Sequence, residues 1–395
     1  MKPLAGMTVL EFSTMITASF AAMMMAEQGA RVIKIEPVGM GDPMRYIGTQ
    51  KGGISALFAN CNRGKEAISV NLKDEVGQAL VHRLVETADV VIHNFRPGVM
   101  EGLNLGSEKL RAINPRLVYM AISGFGKEGP LKNAPAYDPV IQAHAGFTAS
   151  QGKHGPSGDA PAFVRNLMCD KITAYTAIQG VTAALLLRER EGLGQHIDLS
   201  MLDSGLFFIF PDGFMNNTLM DDDIQIQPLL SDLLYELTIT KDGAITISAG
   251  TDQQRNNLLR ALGLEALSED ERFSTLDALL QNFQAYRDIL AVKFLQFTSD
   301  DILVRLRKWD VPAAKCHTYE EVLMQPQIDA NDTLEVRHHP EMGSMRIIKS
   351  PVKFAGERLS PGQHSPTHGQ HTITVLKELG LDDLTIESYK QDGVI

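Results

Sequence analysis

The sequence predicts an α/β fold in which a mostly parallel sheet is covered by helices on both faces. Strand-like apolar runs occupy residues 7–13, 30–36, 67–72, 89–94 and 116–126, and the helix-like segments between them include residues 18–29 and 74–88. Near-continuous apolar strands that alternate with helices are typical of a parallel sheet buried on both faces. We therefore expect a Rossmann-like strand order, with ligands bound in the loops that follow the carboxyl ends of the strands.

The pattern changes after residue 200. Residues 236–250 place the turn sequence Lys241-Asp242-Gly243 between two alternating runs, which predicts a β-hairpin. Amphipathic helices are predicted over residues 253–264 and 299–309. Residues 338–371 are rich in Pro, Gly and His and predict a linker with solvated histidines, followed by a helix at residues 372–380.

Three segments follow from this pattern. Residues 1–210 are expected to form the N-terminal part of the large Rossmann-like domain, and residues 225–325 a small α+β domain. Residues 326–395 are expected to be a linker and a C-terminal return to the large domain. A chain of 395 residues is also longer than one core usually serves, which favours two or more compact units.

Composition excludes several classes of function. The net charge of −11 argues against a nucleic-acid surface. No apolar stretch approaches the ~18 residues that span a bilayer. The first residues run directly into a strand-like segment without a signal-peptide core. We therefore expect a cytoplasmic protein with neither a membrane nor a nucleic-acid partner.

Three apparent motifs are not interpreted as sites. The cysteines Cys61, Cys169 and Cys316 form neither a disulfide framework nor a CxxC motif. The closely spaced histidines 364, 368 and 371 have no Cys or carboxylate nearby to complete a metal site. The GxGxxG at residues 124–129 is followed directly by Pro130, so the helix that a dinucleotide site requires is not expected.

Asp170 is the most informative single residue. It begins a segment that otherwise reads as a small-residue, apolar helix and is expected to be largely buried, where an unpaired charge is costly. Locally, the carboxylate is expected to cap the helix by accepting its free N–H groups. The alternative is a nucleophile or general base, and the neighbouring Cys169 is a second, weaker candidate nucleophile.

The ordered set of motifs resembles the class III CoA-transferase family, which includes formyl-CoA transferase, carnitine CoA-transferase and α-methylacyl-CoA racemase. The strongest matches are PLAGMTVLEFS, GARVIKIE, NFRPG, INPRLVYMAISGFGKEGP, AYDPVIQAHAG, the helix that carries Asp170, GLGQHIDLSMLDS and GQHTITVLKELGL. They extend over nearly the whole chain, so the signal is specific where one motif alone would be weak.

This resemblance implies a fold and an activity. The fold would be a large Rossmann-like domain built from both chain ends, a small inserted domain and an interlocked homodimer. The activity would be transfer of CoA from an acyl-CoA thioester to a free carboxylic acid, through an aspartyl anhydride and an aspartyl-CoA thioester on Asp170. Coenzyme A thioester would be a substrate, with no permanently bound cofactor and no metal.

The resemblance also assigns binding residues. Those matching the nucleotide-binding loops are Val70, Asn71, Leu72, Lys73, Asn94, Phe95 and Arg96, with Lys73 and Arg96 as phosphate partners. Ile16, Thr17 and Ala18 would lie against the pantetheine and thioester. Tyr137 would donate to a substrate carboxylate, and Gly250 keeps the glycine character of the loop 248–253 that would close over the intermediate. Pro37 and Gly102 stand where formyl-CoA transferase has arginines, so nucleotide contacts must differ in detail.

Two alternatives remain. A racemase of this family needs an acid/base pair with a His-Asp on one side of the α-carbon, and this chain has Tyr137-Asp138 there, which favours transfer. A catalytically silent CoA-binding homologue would lose the carboxylate, whereas Asp170 is present.

Overall fold

The computed structural model describes residues 2–152, 160–229, 231, 235, 237–359 and 362–395. Within it the chain divides into two compact units. The first unit combines Met1–Phe210 with Asn331–Ile395, and the second is Pro211–Ala330.

The strands and helices are numbered in chain order. The strands are β1 Thr8–Phe12, β2 Arg31–Glu36, β3 Gln50–Lys51, β4 Ile54–Ser55, β5 Lys65–Ser69, β6 Val90–His93, β7 Val118–Ser123, β8 His196–Ser200, β9 Leu237–Ile239, β10 Ala244–Ile247, β11 Ala313–Lys315, β12 Leu334–His339, β13 Gly343–Ile348, β14 Lys353–Phe354 and β15 Glu357–Arg358. The helices are α1 Thr17–Glu27, α2 Ala56–Asn62, α3 Glu75–Val85, α4 Val99–Gly102, α5 Ser107–Ile113, α6 Asp138–His144, α7 Phe147–Gly152, α8 Met168–Glu191, α9 Met201–Gly213, α10 Met215–Thr218, α11 Asp252–Leu262, α12 Leu276–Gln281, α13 Phe283–Phe294, α14 Ser299–Lys308, α15 Tyr319–Leu323, α16 Pro326–Ala330, α17 Thr372–Glu378 and α18 Asp383–Gln391.

The first unit is built on a six-stranded parallel sheet, which confirms the predicted α/β class. The strand order is β5-β2-β1-β6-β7-β8, and every neighbouring pair is parallel. The chain therefore starts at the centre with β1 and runs to one edge through β2 and β5. It then crosses back to β6, on the other side of β1, and adds β7 and β8 outward from there. The point at which strand order reverses lies between β1 and β6, and ligands of such sheets bind beyond the carboxyl ends there.

The two faces of this sheet carry separate apolar clusters because successive residues of a strand point to opposite sides. Val9 faces α1 and α8, whose small residues Ala21, Ala22, Ala174 and Ala177 let the helices pack closely. On the opposite face Leu10 belongs to a cluster with residues of α3, α5 and α17. Helix α17, from the C-terminal part of the chain, thus packs on the sheet formed by the first 200 residues.

The helix after Asp170 is less buried than the sequence predicted. Helix α8 buries Ala174, Val181 and Leu185, but Leu186 is exposed. The prediction of a largely buried helix was therefore wrong for one of its sides.

The predicted linker over residues 338–371 also contains regular structure. Strands β12 and β13 form an antiparallel hairpin, and β14 pairs with β15. His339, expected to be solvated, is buried, and its Nε2 bonds to the carbonyl oxygen of Ser365 at 2.9 Å. Its Nδ1 accepts the N–H groups of Glu341 and Met342, which fixes the tautomer as Nε2–H.

The second unit contains a three-stranded antiparallel sheet in the order β11-β10-β9. Strands β9 and β10 form the predicted hairpin. Residues of α11, α13 and α14 cover Ile245 of β10 and complete a separate apolar core. None of the helices in the described residues is both long and apolar enough to cross a bilayer.

Candidate active site

Three loops and the start of one helix of the first unit meet at the point where the strand order of the sheet reverses. A cavity of about 360 Å³ is lined there by the loop after β1, the loop after β6, the segment between β7 and α6, and the first turn of α8. The predicted site residues Thr17, Asn94, Phe95, Arg96, Tyr137 and Asp170 all line it. Because these residues are far apart in sequence, it is the parallel sheet that brings them together.

Asp170 is the third residue of α8, and its carboxylate does not cap the helix. The N-cap residue is Leu167, which makes no side-chain cap. The Asp170 N–H instead donates to Oδ2 of Asp138 at 3.0 Å. The expected local cap was therefore wrong, because the helix begins two residues before Asp170 and its N-cap position falls on Leu167.

Asp138 is held in this position by a second buried side chain. The Nε2 group of Gln142 donates to Asp138 Oδ1 at 2.6 Å and also lies 3.1 Å from the carbonyl oxygens of Val164 and Asn166. The N–H of Val164 donates to Gln142 Oε1 at 3.1 Å. This set ties α6 to the segment that leads into α8 and so fixes where Asp170 enters the cavity.

The Asp170 carboxylate receives one hydrogen bond within the described residues. The hydroxyl of Thr17 donates to Asp170 Oδ1, while Oδ2 has no hydrogen-bond partner there. Burial, together with the charge of Asp138, raises the pKa of Asp170 to about 6, although the Thr17 hydroxyl and Lys171 act in the opposite direction.

The loop that precedes Thr17 is held by hydrogen bonds to two other segments of the chain. Asn94 accepts the N–H of Thr14 at 3.1 Å and donates to the Thr14 carbonyl oxygen at 2.7 Å. Met15 has a φ of 63°, a conformation unusual for a residue with a side chain, and its N–H donates to Asp42 Oδ1 at 3.2 Å. The Asn94 side chain therefore joins the two loops at the reversal point.

A buried group of charges under α1 supports Asp42. Lys34 Nζ lies 2.8 Å from Glu11 Oε1 and 3.0 Å from Asp42 Oδ2, and Lys65 Nζ lies 2.6 Å from Glu11 Oε2. All four side chains are inaccessible to solvent. Burial acts to raise the pKa of Glu11, but the two ammonium groups outweigh it and hold that pKa at about 2. Sequence reasoning missed this group, whose only signal is charged residues inside apolar strands.

The remaining predicted contacts do not line the cavity. Ile16, Ala18 and Val70 are buried, and Leu72 packs beside an apolar cluster. The N–H of Asn71 donates to the carbonyl oxygen of Val394 at 2.8 Å, and its Oδ1 accepts the N–H of Lys73. Gly250 belongs to the second unit.

The predicted donors to substrate are available for contact. The Tyr137 side chain is 68% exposed, and its hydroxyl makes no hydrogen bond with the described residues. The exposed side chains of Lys73 and Arg96 form no ion pair within the same residues. All three groups can therefore reach a ligand without first breaking a hydrogen bond or ion pair to another described residue.

The structure also gives physical reasons why Cys169 and the GxGxxG segment at residues 124–129 are not interpreted as sites. Burial raises the pKa of the Cys169 thiol to about 12, so it is not a thiolate at neutral pH. Residues 124–137, all described, form turns and contain no helix. In the described part of the chain, no group of three or more His, Cys, Asp or Glu residues is arranged to hold a metal ion.

The Asp170 carboxylate lies in a cavity beyond the carboxyl ends of a parallel sheet, at the point where strand order reverses. Proteins of the α/β class bind nucleotide ligands at this place. Residues 4–372 match the model of CoA-transferase family III, and the chain belongs to this family. It is 33% identical to the succinate–glutarate CoA-transferase of Agrobacterium fabrum, over 95% of this chain and 96% of that protein. It is 30% identical to the succinyl-CoA–D-citramalate CoA-transferase of Chloroflexus aurantiacus, over 99% and 98%.

Solved structures agree with the family assignment. Rv3272 from Mycobacterium tuberculosis superposes with a TM-score of 0.83 and 29% identity, over 95% of this chain and 99% of that one. A CAIB/BAIF family protein from Brucella suis gives a TM-score of 0.81 and 30% identity, over 96% and 99%. The chain is thus an acyl-CoA:carboxylate CoA-transferase, and its substrates are an acyl-CoA and a carboxylic acid.

Proposed function

We propose that Asp170 is the nucleophile of the transfer. Its carboxylate attacks the thioester carbonyl of the donor, the C–S bond breaks, and a mixed anhydride and CoA thiolate result. The thiolate attacks Cγ of Asp170 and releases the donor acid, which leaves an aspartyl-CoA thioester. The acceptor carboxylate attacks Cγ in turn and expels the thiolate, which finally attacks the acceptor carbonyl and regenerates the Asp170 carboxylate.

One observation carries this proposal. Asp170 extends into the cavity, where the loops after β1 and β6 meet, a carboxylate whose Oδ2 has no hydrogen-bond partner among the residues that the structure describes. With a pKa of about 6 the group is mostly ionised at neutral pH and more basic than an ordinary aspartate. Both properties suit a carboxylate that must attack an acyl carbon and later leave it.

The acyl-CoA is proposed to bind along the same edge of the sheet. Thr17 and its neighbours Ile16 and Ala18 lie against the pantetheine and thioester. The nucleotide part contacts the segments 70–73 and 94–96, where Lys73 and Arg96 pair with phosphates. Asn94 contributes by fixing the loop rather than through its amide, which is already engaged with Thr14.

Relatives suggest the acids. The acids in the names of three relatives are succinate, glutarate, D-citramalate and oxalate, all of them dicarboxylic acids. We propose a dicarboxylic acid among the substrates here, with the Tyr137 hydroxyl as a donor to its carboxylate. Gly250 is proposed to belong to a loop that closes over the intermediate.

We also propose the interlocked homodimer and the arrangement of domains 1–210, 225–325 and 326–395. Large apolar side chains are exposed on α8 and α9, among them Tyr175, Leu186, Phe207 and Phe208. A second copy of the chain that covers these helices would remove them from water.

An exchange assay tests the chemistry. Purified protein is mixed with succinyl-CoA and a panel of free carboxylic acids, and new acyl-CoA esters are measured by mass spectrometry. We expect Asp170→Asn to lose about 10⁴-fold or more of the rate, as when a catalytic nucleophile is removed. The matched control is Asp221→Asn, which makes the same replacement at an exposed position and should retain full activity.

Other results would favour other functions. Full transfer by Asp170→Asn would eliminate the nucleophile assignment. Deuterium uptake at the α-carbon of an acyl-CoA without CoA exchange would favour the racemase. Binding of CoA without either reaction would indicate a silent homologue.

A further inference from the structure

The two oxygens of the Asp170 carboxylate have different environments. Oδ1 accepts the Thr17 hydroxyl, whereas Oδ2 has no partner among the described residues. Oδ2 is therefore the oxygen available to attack a thioester, and Oδ1 is the oxygen that remains on the aspartyl carbon when an anhydride forms.

The Thr17 hydroxyl is committed to this contact. Thr17 is the first residue of α1 and is 2% exposed, and within the described residues Asp170 is the only acceptor of its hydroxyl proton. The hydroxyl does not cap α1, because the N-cap residue Ile16 precedes it and no side-chain cap is made. Its orientation therefore depends on Asp170 and on the loop from which α1 begins.

That loop is held before any substrate arrives. Asn94 holds both polar groups of the Thr14 backbone, and Asp42 holds the N–H of Met15. Asp42 is itself fixed by the buried ammonium group of Lys34. A donor attached to such a support keeps its position while charge moves, which is the requirement for stabilising an oxyanion.

We propose that the Thr17 hydroxyl is the oxyanion donor for the two tetrahedral intermediates centred on Cγ of Asp170. This inference rests on the proposed aspartyl mechanism. When the CoA thiolate attacks Cγ of the anhydride, the electron pair of the carbonyl bond moves to Oδ1, and it returns as the Cγ–Oδ2 bond to the acyl group breaks. When the acceptor carboxylate attacks the aspartyl thioester, Oδ1 again carries the charge until the C–S bond breaks.

The first and last steps of the transfer differ from these two in the atom that carries the negative charge. In those steps the tetrahedral carbon belongs to the substrate acyl group, and the oxyanion lies on the substrate rather than on Oδ1. Removal of the Thr17 hydroxyl should therefore slow the two middle steps selectively. A protein with a merely disturbed site would slow all four.

The test uses the full-length enzyme with succinyl-CoA and no acceptor acid, and the protein mass is measured after an acid quench on the millisecond to second scale. The wild type should accumulate the CoA adduct on Asp170. Thr17→Val, which keeps the branched shape, should accumulate the succinyl adduct and form the CoA adduct about 10²-fold to 10³-fold more slowly, as for loss of one oxyanion donor. Thr17→Ser, which keeps the hydroxyl, should stay within about tenfold of the wild type.

Each outcome has a distinct meaning. If Thr17→Val forms the CoA adduct at the wild-type rate, or if both adducts decline together, the role of Thr17 is refuted. If the wild type forms neither adduct, the aspartyl mechanism itself fails. Thr17→Ala is expected to behave like Thr17→Val and provides the same measurement if valine prevents folding, which thermal unfolding would reveal.

Discussion

The raised pKa of Asp170 predicts an acid limit to catalysis at an unusually high pH. Only the carboxylate can attack, and burial raises its pKa from 3.8 to about 6. The ionised fraction is then about 90% at pH 7 and about 10% at pH 5, whereas an ordinary aspartate would still be about 94% ionised at pH 5. The value of kcat/KM for the donor should therefore fall about tenfold from pH 7 to pH 5.

The assay measures kcat/KM for succinyl-CoA at half-unit steps from pH 5 to pH 8 for the wild type and for Thr17→Val. The CoA phosphates and the succinyl group titrate identically in both series, so a difference in midpoint belongs to the protein. Because the Thr17 hydroxyl stabilises the charged form, its removal should move the midpoint to higher pH. A wild-type profile that is flat to pH 5, or a variant midpoint at or below that of the wild type, would refute this reasoning.

Two further predictions concern stability. Since the folded-state pKa of Asp170 is raised, its ionisation opposes folding above about pH 6 and this cost disappears below pH 3.8. Asp170→Asn should therefore stabilise the protein by about 1–3 kcal/mol at pH 7 but not at pH 4, and chemical denaturation that gave equal changes at both would contradict this. Lys34→Met leaves two buried carboxylates without their shared cation and should cost about 3–5 kcal/mol, whereas the exposed Lys73→Met should cost less than about 0.5 kcal/mol.

The central sheet could be predicted because its strands are buried on both faces and read as continuous apolar runs. The edge strand β8 gives a weaker signal, since His196 and Asp198 alternate with less exposed residues. The hairpin of β12 and β13 gives almost none. Burial alternates along both strands, but the more buried side carries Arg337 and His339 while Val336 and Ile348 are exposed, so apolar and polar residues do not alternate with burial.

The candidate site could be predicted only in part, for a related reason. Asp170 and Tyr137 belong to local motifs, and a resemblance between motifs identifies them. The partners that give Asp170 its properties are brought in by tertiary structure. Asp138 accepts the N–H of Asp170, Thr17 donates to its carboxylate from another helix, and Asp42 accepts the N–H of Met15 in the loop before that helix. None of these contacts follows from a periodicity or a fixed spacing in the sequence.

The same contacts explain how a carboxylate at a helix N-terminus can remain reactive. Helix N–H groups directed at Asp170 would lower its pKa and stabilise the charge that must be given up in the attack. Asp138 accepts the N–H of Asp170, adds a like charge and is itself held by Gln142. Among the described residues, Asp170 thus has one donor, Thr17, which lies on the oxygen that does not attack. Asp138→Ala leaves the Asp170 carboxylate in place but removes the like charge and the acceptor of that N–H, so the pKa of Asp170 should fall and the acid midpoint of kcat/KM should move to lower pH. An unchanged midpoint would indicate that burial alone raises this pKa.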